Sequence, residues 1–366
     1  MDIARLVALV GGVAIVGFAT AMSLRTFMLP GPARLASRLV VYPLGRVFSL
    51  ASRFARDPGR RDTLLALFAP TALLTVVAVL VAMLGAGYAL LFYGAGAADL
   101  PAALALSASS VSTLGFANPG NSPALVVLSV LAAMSAAATI ALLIGYLPTV
   151  FQAFQEREQA IATLEAHVGD AASAVDILRE WAAAPGLDHA GPLWAEWTTW
   201  FAALRTSHAS LAGVLFLRSP SPGRSWVAVV GAVLDAAALA TTTLDGVERA
   251  APTRCLKAGA ATLGETAVGM RLLPGPLAPV PKAADHAPPP ISVGRDRFDA
   301  ACDALAAAGL PVVADRDAAW AAFARARAAY DAPLTALAAL KHARVALAST
   351  AGEAEGRKDA AHSADC

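Results

Sequence analysis

Residues 107–123, SASSVSTLGFANPGNSP, form a small polar island between two long apolar runs. The island carries hydroxyl side chains, glycines and the turn formers Asn118, Pro119 and Gly120, residue types that break regular structure and open the backbone. It pairs no nucleophile with a base, so its chemistry is that of oxygen and amide groups rather than covalent catalysis. Elsewhere no GxGxxG follows a strand pattern. Cys255, Cys302 and Cys366 are odd in number, widely spaced and without CxxC or Cys/His ligand spacing, and read as reduced cytosolic thiols. His167, His189, His208, His286, His342 and His362 are scattered and read as surface residues. No catalytic residue, cofactor or metal site is legible, and the chain is not expected to be an enzyme.

The elements that must position the island are apolar. Hydrophobic residues make up 57% of the 366-residue chain and charged residues 15%, which is a membrane composition. The apolar excess sits in the first 150 or so residues, so a membrane half precedes a water-soluble half. A net charge of +1 argues against a nucleic-acid partner.

Residues 6–24 form one nearly uninterrupted apolar run, about the length that spans a bilayer. The small residues Ala19, Thr20 and Ala21 also fit a signal-peptide cleavage site, although a basic leader segment is missing. Next come Arg25, Arg34, Arg38, Arg46, Arg53, Arg56, Arg60 and Arg61, opposed only by Asp57, which the positive-inside rule places in the cytoplasm. On a helical wheel most of these arginines oppose Val40, Leu44, Val47, Phe48, Ala51 and Phe54, the pattern of a helix on the membrane surface, with Pro43 expected to interrupt it. A basic loop is the alternative. Either version puts the N-terminus outside.

Residues 64–91 are apolar and uncharged and run from inside to outside. An outer turn at 94–101 holds Asp99 and Pro101, which suit the start of a helix. Residues 102–112 are helix-forming but too short to span, so the segment enters from outside and stops midway. Broken backbone at that depth must be surrounded by protein or line a water-filled path. Residues 124–150 then return to the cytoplasm, where Glu156 and Glu158 mark either an acidic vestibule or a solvated helix face.

This order resembles the two-helix pore domain of the potassium channel superfamily, in which a pore helix leads into a T-V-G-Y-G filter strand. Thr113, Leu114, Gly115 and Phe116 lie over the first four residues of that motif, and Ala117 stands where the family has its second glycine. Asn118 replaces the family's usual aspartate, and Ser109, Ser110 and Ser112 stand where aromatic residues often brace the filter. The resemblance implies an all-α membrane protein, a helix–pore-loop–helix channel domain with an extra N-terminal transmembrane helix and an α-helical cytoplasmic domain. It implies a homotetramer in the inner membrane of a cell of bacterial type, surrounded by lipid and passing K+, with Na+ an alternative, through carbonyls of 113–117 supported by Ser109, Ser110, Ser112 and Asn118. An alanine forced into a left-handed conformation at 117 costs about 1–2 kcal/mol per subunit. Gly145 and Pro148 lie near the inner end, where they form either a gating hinge or a site of close helix packing. Other readings are a nonselective cation channel, or a non-conducting membrane-anchored assembly or sensor protein whose island is only a re-entrant turn.

The expected divisions are an N-terminal helix at 1–30, a basic segment at 31–62, a pore domain at 63–152, a helical cytoplasmic domain at 153–272, a Pro-rich linker at 273–290, a helical appendage at 291–349 and a disordered tail at 350–366. Ile161, Leu164, Val168, Ala171, Val175, Leu178 and Ala182 share a heptad stripe on one predicted helix, for self-association or core packing. Trp194, Trp197, Phe201 and Leu204 share a face that reads as core. Residues 227–240 read as a buried central helix in which Asp235 caps, pairs with an arginine or touches a regulator, pairing being the default. No regulatory ligand or sensor motif is legible in this half.

Overall fold

Apolar periodicity and short breakers dictate an all-helical chain. The computed structural model describes residues 2–28, 40, 42–54, 67–169, 173–210, 225–270, 272–275 and 289–341. Among them are twelve α-helices and one isolated β-bridge, Leu244 with Val312. Arg34, Arg38, Arg56, Arg60, Arg61, most of the Pro-rich linker and the tail lie outside the described residues. Two compact units emerge, built mainly from Met1–Phe154 and from Gln155–Ala209 with Ser219–Cys366.

The first unit contains α1 (Ile3–Phe27), α2 (Tyr42–Phe54), α3 (Phe68–Gly94), α4 (Leu100–Val111) and the first part of α5 (Pro123–Val168). Helices α1, α3 and α5 are long and apolar enough to cross a membrane. The 25 residues of α1 rise about 37 Å at ~1.5 Å each, more than the roughly 30 Å of a hydrocarbon core. The 12 residues of α4 rise only about 18 Å, enough to reach partway.

Helices α1 and α3 run antiparallel, since Leu9 meets Gly94, Gly12 meets Gly87, and Met22 clusters with Val76 and Leu80. Their backbones nearly touch. A Cβ at Gly12 would stand 2.8 Å from the Gly87 carbonyl, and one at Gly87 would stand 2.8 Å from Val16. Small residues at a membrane helix contact permit this approach, and dispersion rather than water exclusion then holds the pair. The Arg5 guanidinium lies over the Tyr93 ring at 5.5 Å and donates to the Ala97 carbonyl at 3.4 Å, which fixes the start of α1 to the turn after α3.

Pro43 stands at the start of α2, and residues 29–39 and 41 before it lie outside the described residues. It is the second residue of that helix, where a missing N–H costs nothing. Phe48 packs edge-on against Phe68 at 5.5 Å, whereas Val47, Leu50 and Phe54 are exposed. Helix α5 runs on past the expected end near residue 150 to Val168, with Pro148 inside it. Among the described residues, every exposed large apolar side chain lies between Ile3 and Phe151.

The second unit has an ordinary buried core. It holds the end of α5, then α6 (Ala174–Ala183), α7 (Gly191–Ser210), α8 (Trp226–Thr242), α9 (Ala250–Gly269), α10 (Arg295–Ala307), α11 (Arg316–Ala328) and α12 (Asp331–Lys341). Helix α8 is buried from Trp226 to Ala240 except at Ala228 and packs against α6, α9, α11 and α12. Trp194, Trp197, Phe201 and Leu204 are buried, as their shared face requires.

The heptad stripe is divided rather than continuous. Gly169 turns left-handed at φ +89°, and Ser173 with Asp176 forms a capping box that starts a new helix. Local capping thus overrides the apolar period. The helices after residue 290, expected as an appendage, supply part of this same core, because α11 and α12 cover α8. Within it Arg327 donates to Asp235, Tyr330 donates to the same carboxylate oxygen at 2.7 Å, and Arg327 Nε donates to Asp331 at 3.0 Å. Burial is the largest influence on all three central groups. It pushes Asp235 and Tyr330 above their ordinary values, and at Arg327 it is outweighed by Asp235, Tyr330 and Asp331, which hold the guanidinium charged.

Candidate pore loop

The loop is built outward from the short helix that carries it. Asp99 begins α4 by accepting from the Ala102 N–H at 2.8 Å, and Pro101 sits in the first turn, where its ring is preorganised. Ala103, Leu106 and Val111 bury one face of α4 in a cluster with Leu84, Tyr88, Phe92, Leu125, Ala132 and Ala136. Ser107 adds a polar fastening, its hydroxyl donating to the Gly85 carbonyl of α3 at 2.6 Å. With α4 ended at Val111, the chain must reverse without leaving buried amides unpaired.

Ser109 supplies most of that need. Its carbonyl accepts from the Gly115 N–H at 3.2 Å, and its hydroxyl, buried to 2% exposure, accepts from the Ala117 N–H at 2.9 Å. Thr113 N–H donates to the Ser110 carbonyl at 3.0 Å. The other expected supports act locally. Ser110 Oγ donates back to Leu106 and Ser112 Oγ back to Ser109, while the Asn118 side-chain oxygen accepts from the Gly120 N–H at 2.8 Å.

The backbone strain sits elsewhere than expected. Among the described residues Thr113, at φ +58°, is the only non-glycine with positive φ, followed by Gly115 at +68° and Gly120 at +69°. Ala117 is not left-handed. Its N–H is taken by Ser109 and its half-buried side chain packs on the α3–α4 cluster, so the turn is completed earlier. The conformational cost falls on a β-branched residue just past the end of α4.

Leu114 and Phe116, which flank Gly115, are exposed at 75% and 63%. The stretch from Thr113 to Phe116 therefore presents large apolar side chains away from the rest of the chain. Asp99 is the only acidic or basic residue between positions 64 and 155, and no charged side chain lies within the loop itself.

Gly145 and Pro148 do not join the loop. Gly145 follows the start of α5 by 22 residues, about 33 Å along the axis, toward the other end of the span. A Cβ at Gly145 would meet nothing within 4 Å, so close packing at this position is not made within the described chain. Glu158 is paired with a neighbouring cation. It accepts from Arg157 at 2.8 and 3.0 Å in the second unit, while Glu156 is exposed.

Sequence reasoning missed Ser107, Tyr88 and Ser135. Tyr88, 4% exposed on α3, shares a hydrogen bond of 2.8 Å with Ser135 on α5. The available signal was hydroxyl residues within otherwise apolar runs, where each needs a partner. No cluster of metal-ligating side chains occurs among the described residues. No family model matches the chain, and no match is found among curated proteins or solved structures.

Proposed function

We propose that this chain is the subunit of a passive monovalent cation channel, K+ being the favoured ion, assembled as a homotetramer in the cell inner membrane. The observation that carries the reading is the loop after α4: a helix about 18 Å long ends in left-handed backbone at Thr113 and Gly115, with Leu114 and Phe116 exposed. Open backbone at membrane depth is stable only against protein or water. Copies of this chain around a shared axis supply both. In that arrangement carbonyls of Thr113 to Phe116 replace the water around a dehydrated cation, α5 lines the path, and its inner end near Gly145 and Pro148 opens or closes the exit. The arginine-rich segment keeps the second unit in the cytoplasm, where it regulates the gate.

One observation favours a less selective pore. Ala117 is tied to Ser109 and lacks the left-handed turn, so the outermost carbonyl ring differs from that of a glycine. Purified chain in K+-loaded liposomes tests both readings. Potassium efflux that Gly115→Val abolishes supports the channel, and equal Na+ and K+ fluxes support the nonselective form. Intact assemblies that pass no monovalent cation overturn it.

A further inference from the structure

Inside the first unit the three elements of the pore domain are joined by two hydrogen bonds that share one face of α3. Gly85 and Tyr88 are three residues apart, hence on the same side of the helix. The Gly85 carbonyl accepts from Ser107 of α4 at 2.6 Å, and the Tyr88 hydroxyl meets Ser135 Oγ of α5 at 2.8 Å. The proton at the second contact is assigned by its neighbours. Ser135 donates its own hydrogen to the Leu131 carbonyl at 2.7 Å, so Tyr88 is the donor and Ser135 the acceptor.

The surrounding contact of α5 is thin. Leu125, Ala132 and Ala136 are its buried members in the common cluster, two of them alanines, while Val127, Val130, Leu131, Met134 and Ile140 point outward. Small side chains give little dispersion energy to hold a helix in register. A buried phenol in an apolar setting, by contrast, loses much if its hydroxyl has no partner. The Tyr88–Ser135 bond therefore carries an unusual share of the fixing of α5. From Gly85, one turn away, the line continues through Ser107 to Ser109, which holds the N–H groups of Gly115 and Ala117.

We propose that Tyr88 and Ser135 are positioning residues for the pore loop: their hydrogen bond sets where α5 stands against α3, and thereby the geometry of Thr113 to Ala117. Neither residue touches the permeating ion. The inference rests on the channel reading and deepens it by naming the contact through which movement of the inner helix reaches the loop.

The test compares K+ and Na+ fluxes in liposomes for the full chain and the variants Tyr88→Phe, Ser135→Ala, Ser135→Thr and the double variant Tyr88→Phe/Ser135→Ala. The expected result is a change in the K+/Na+ flux ratio of about three- to tenfold in each hydroxyl deletion, the range that interhelical hydrogen bonds support. The double variant should go no further than either single one, and Ser135→Thr should keep the parent ratio. Total flux alone is no readout, since a merely structural contact would lower it too. A conducting parent whose ratio is unmoved by both deletions overturns this inference and leaves the channel reading standing. So does failure of both deletion variants to assemble, the outcome of a contact that only holds the fold. A parent that passes no cation overturns the channel reading itself, and this inference with it.

Discussion

The Ser109 hydroxyl accepts the backbone N–H of Ala117, eight residues further on, at 2.9 Å. That bond spans the whole reversal, so it clamps the far end of the loop to the helix that precedes it. Ser109→Ala removes the acceptor and leaves a half-buried amide unpaired, at a cost of about 1–3 kcal/mol. The expected outcome is a lower thermal midpoint of the detergent-solubilised protein and, on the proposed channel reading, altered cation flux, with Ser109→Thr restoring both. Unchanged midpoint and flux in Ser109→Ala would mean the loop closes without this bond.

Thr113 and Gly115 should respond to substitution with opposite signs. Thr113 holds φ +58°, so Thr113→Gly relieves about 1–2 kcal/mol of left-handed strain and should raise the unfolding midpoint. Gly115 holds φ +68°, and a Cβ there would meet nothing within 4 Å. The cost of Gly115→Ala is therefore conformational rather than steric, again about 1–2 kcal/mol. Denaturant titration of the two variants beside the parent reads both effects.

Replacing Gly12 or Gly87 by valine forces α1 and α3 apart, because the added carbons would stand 2.8 Å from backbone or side chain. Overpacking of this kind costs about 1–3 kcal/mol. Gly17 and Gly85 supply the control. Each has no neighbouring atom within 4 Å of a Cβ, so alanine at either should leave the midpoint unchanged or raise it slightly through helix propensity. Size-exclusion profiles after graded heating would separate the two sets.

In the second unit Arg327 and Asp235 are nearly fully buried. Removing one partner of such a pair strands the other, at about 3–5 kcal/mol, whereas removing both for apolar residues of similar size is close to neutral. Arg327→Met alone should strongly destabilise the unit, and Arg327→Met with Asp235→Leu should recover part of the loss, the buried Tyr330 hydroxyl having lost its acceptor. Equal destabilisation in the single and double variants would mean that packing, rather than charge, dominates there.

Burial pushes the Cys255 thiol up to about 12, against a small opposing hydrogen bond with Thr198. Between its ordinary value of 9.0 and about 12 the folded chain holds a proton that the unfolded chain has lost. By linkage this contribution to stability is fully present below pH 9.0 and is lost as the pH rises toward 12. Cys255→Ala should flatten that alkaline limb. Native protein should also resist alkylation at Cys255 and Cys302, which are both buried, and yield to it only on unfolding, as mass spectrometry would record.

Much of this architecture is legible in the chain because composition and length are local properties. The apolar runs, the shortness of residues 102–112, the helix start at Asp99 and Pro101, the aromatic face at 194–204 and the default pairing of Asp235 with an arginine all follow from residue type and period. What escaped depends on where separate segments meet. Gly12 against Gly87, Ser107 with Gly85 and Tyr88 with Ser135 are partners across helices, and no periodicity announces them. The divided heptad stripe shows the reverse case: the apolar repeat continues through 169–173, but Gly169 and the Ser173 cap decide the backbone. At the loop, a motif comparison assigns left-handed backbone by position, whereas the Ser109 hydrogen bonds redistribute it to Thr113.

The near-contact of Gly12 with Gly87 has a mechanical meaning for the bilayer. Two helices whose backbones touch behave as one plank, stiffer than either alone, and tilt together when the hydrocarbon thickness changes. The edge of that plank carries Gly85 and Tyr88, the points to which α4 and α5 are fastened. Lipid thickness is thus expected to act on the loop as a lever, turning a change in chain length of the surrounding acyl groups into a change in how Thr113 to Ala117 are held.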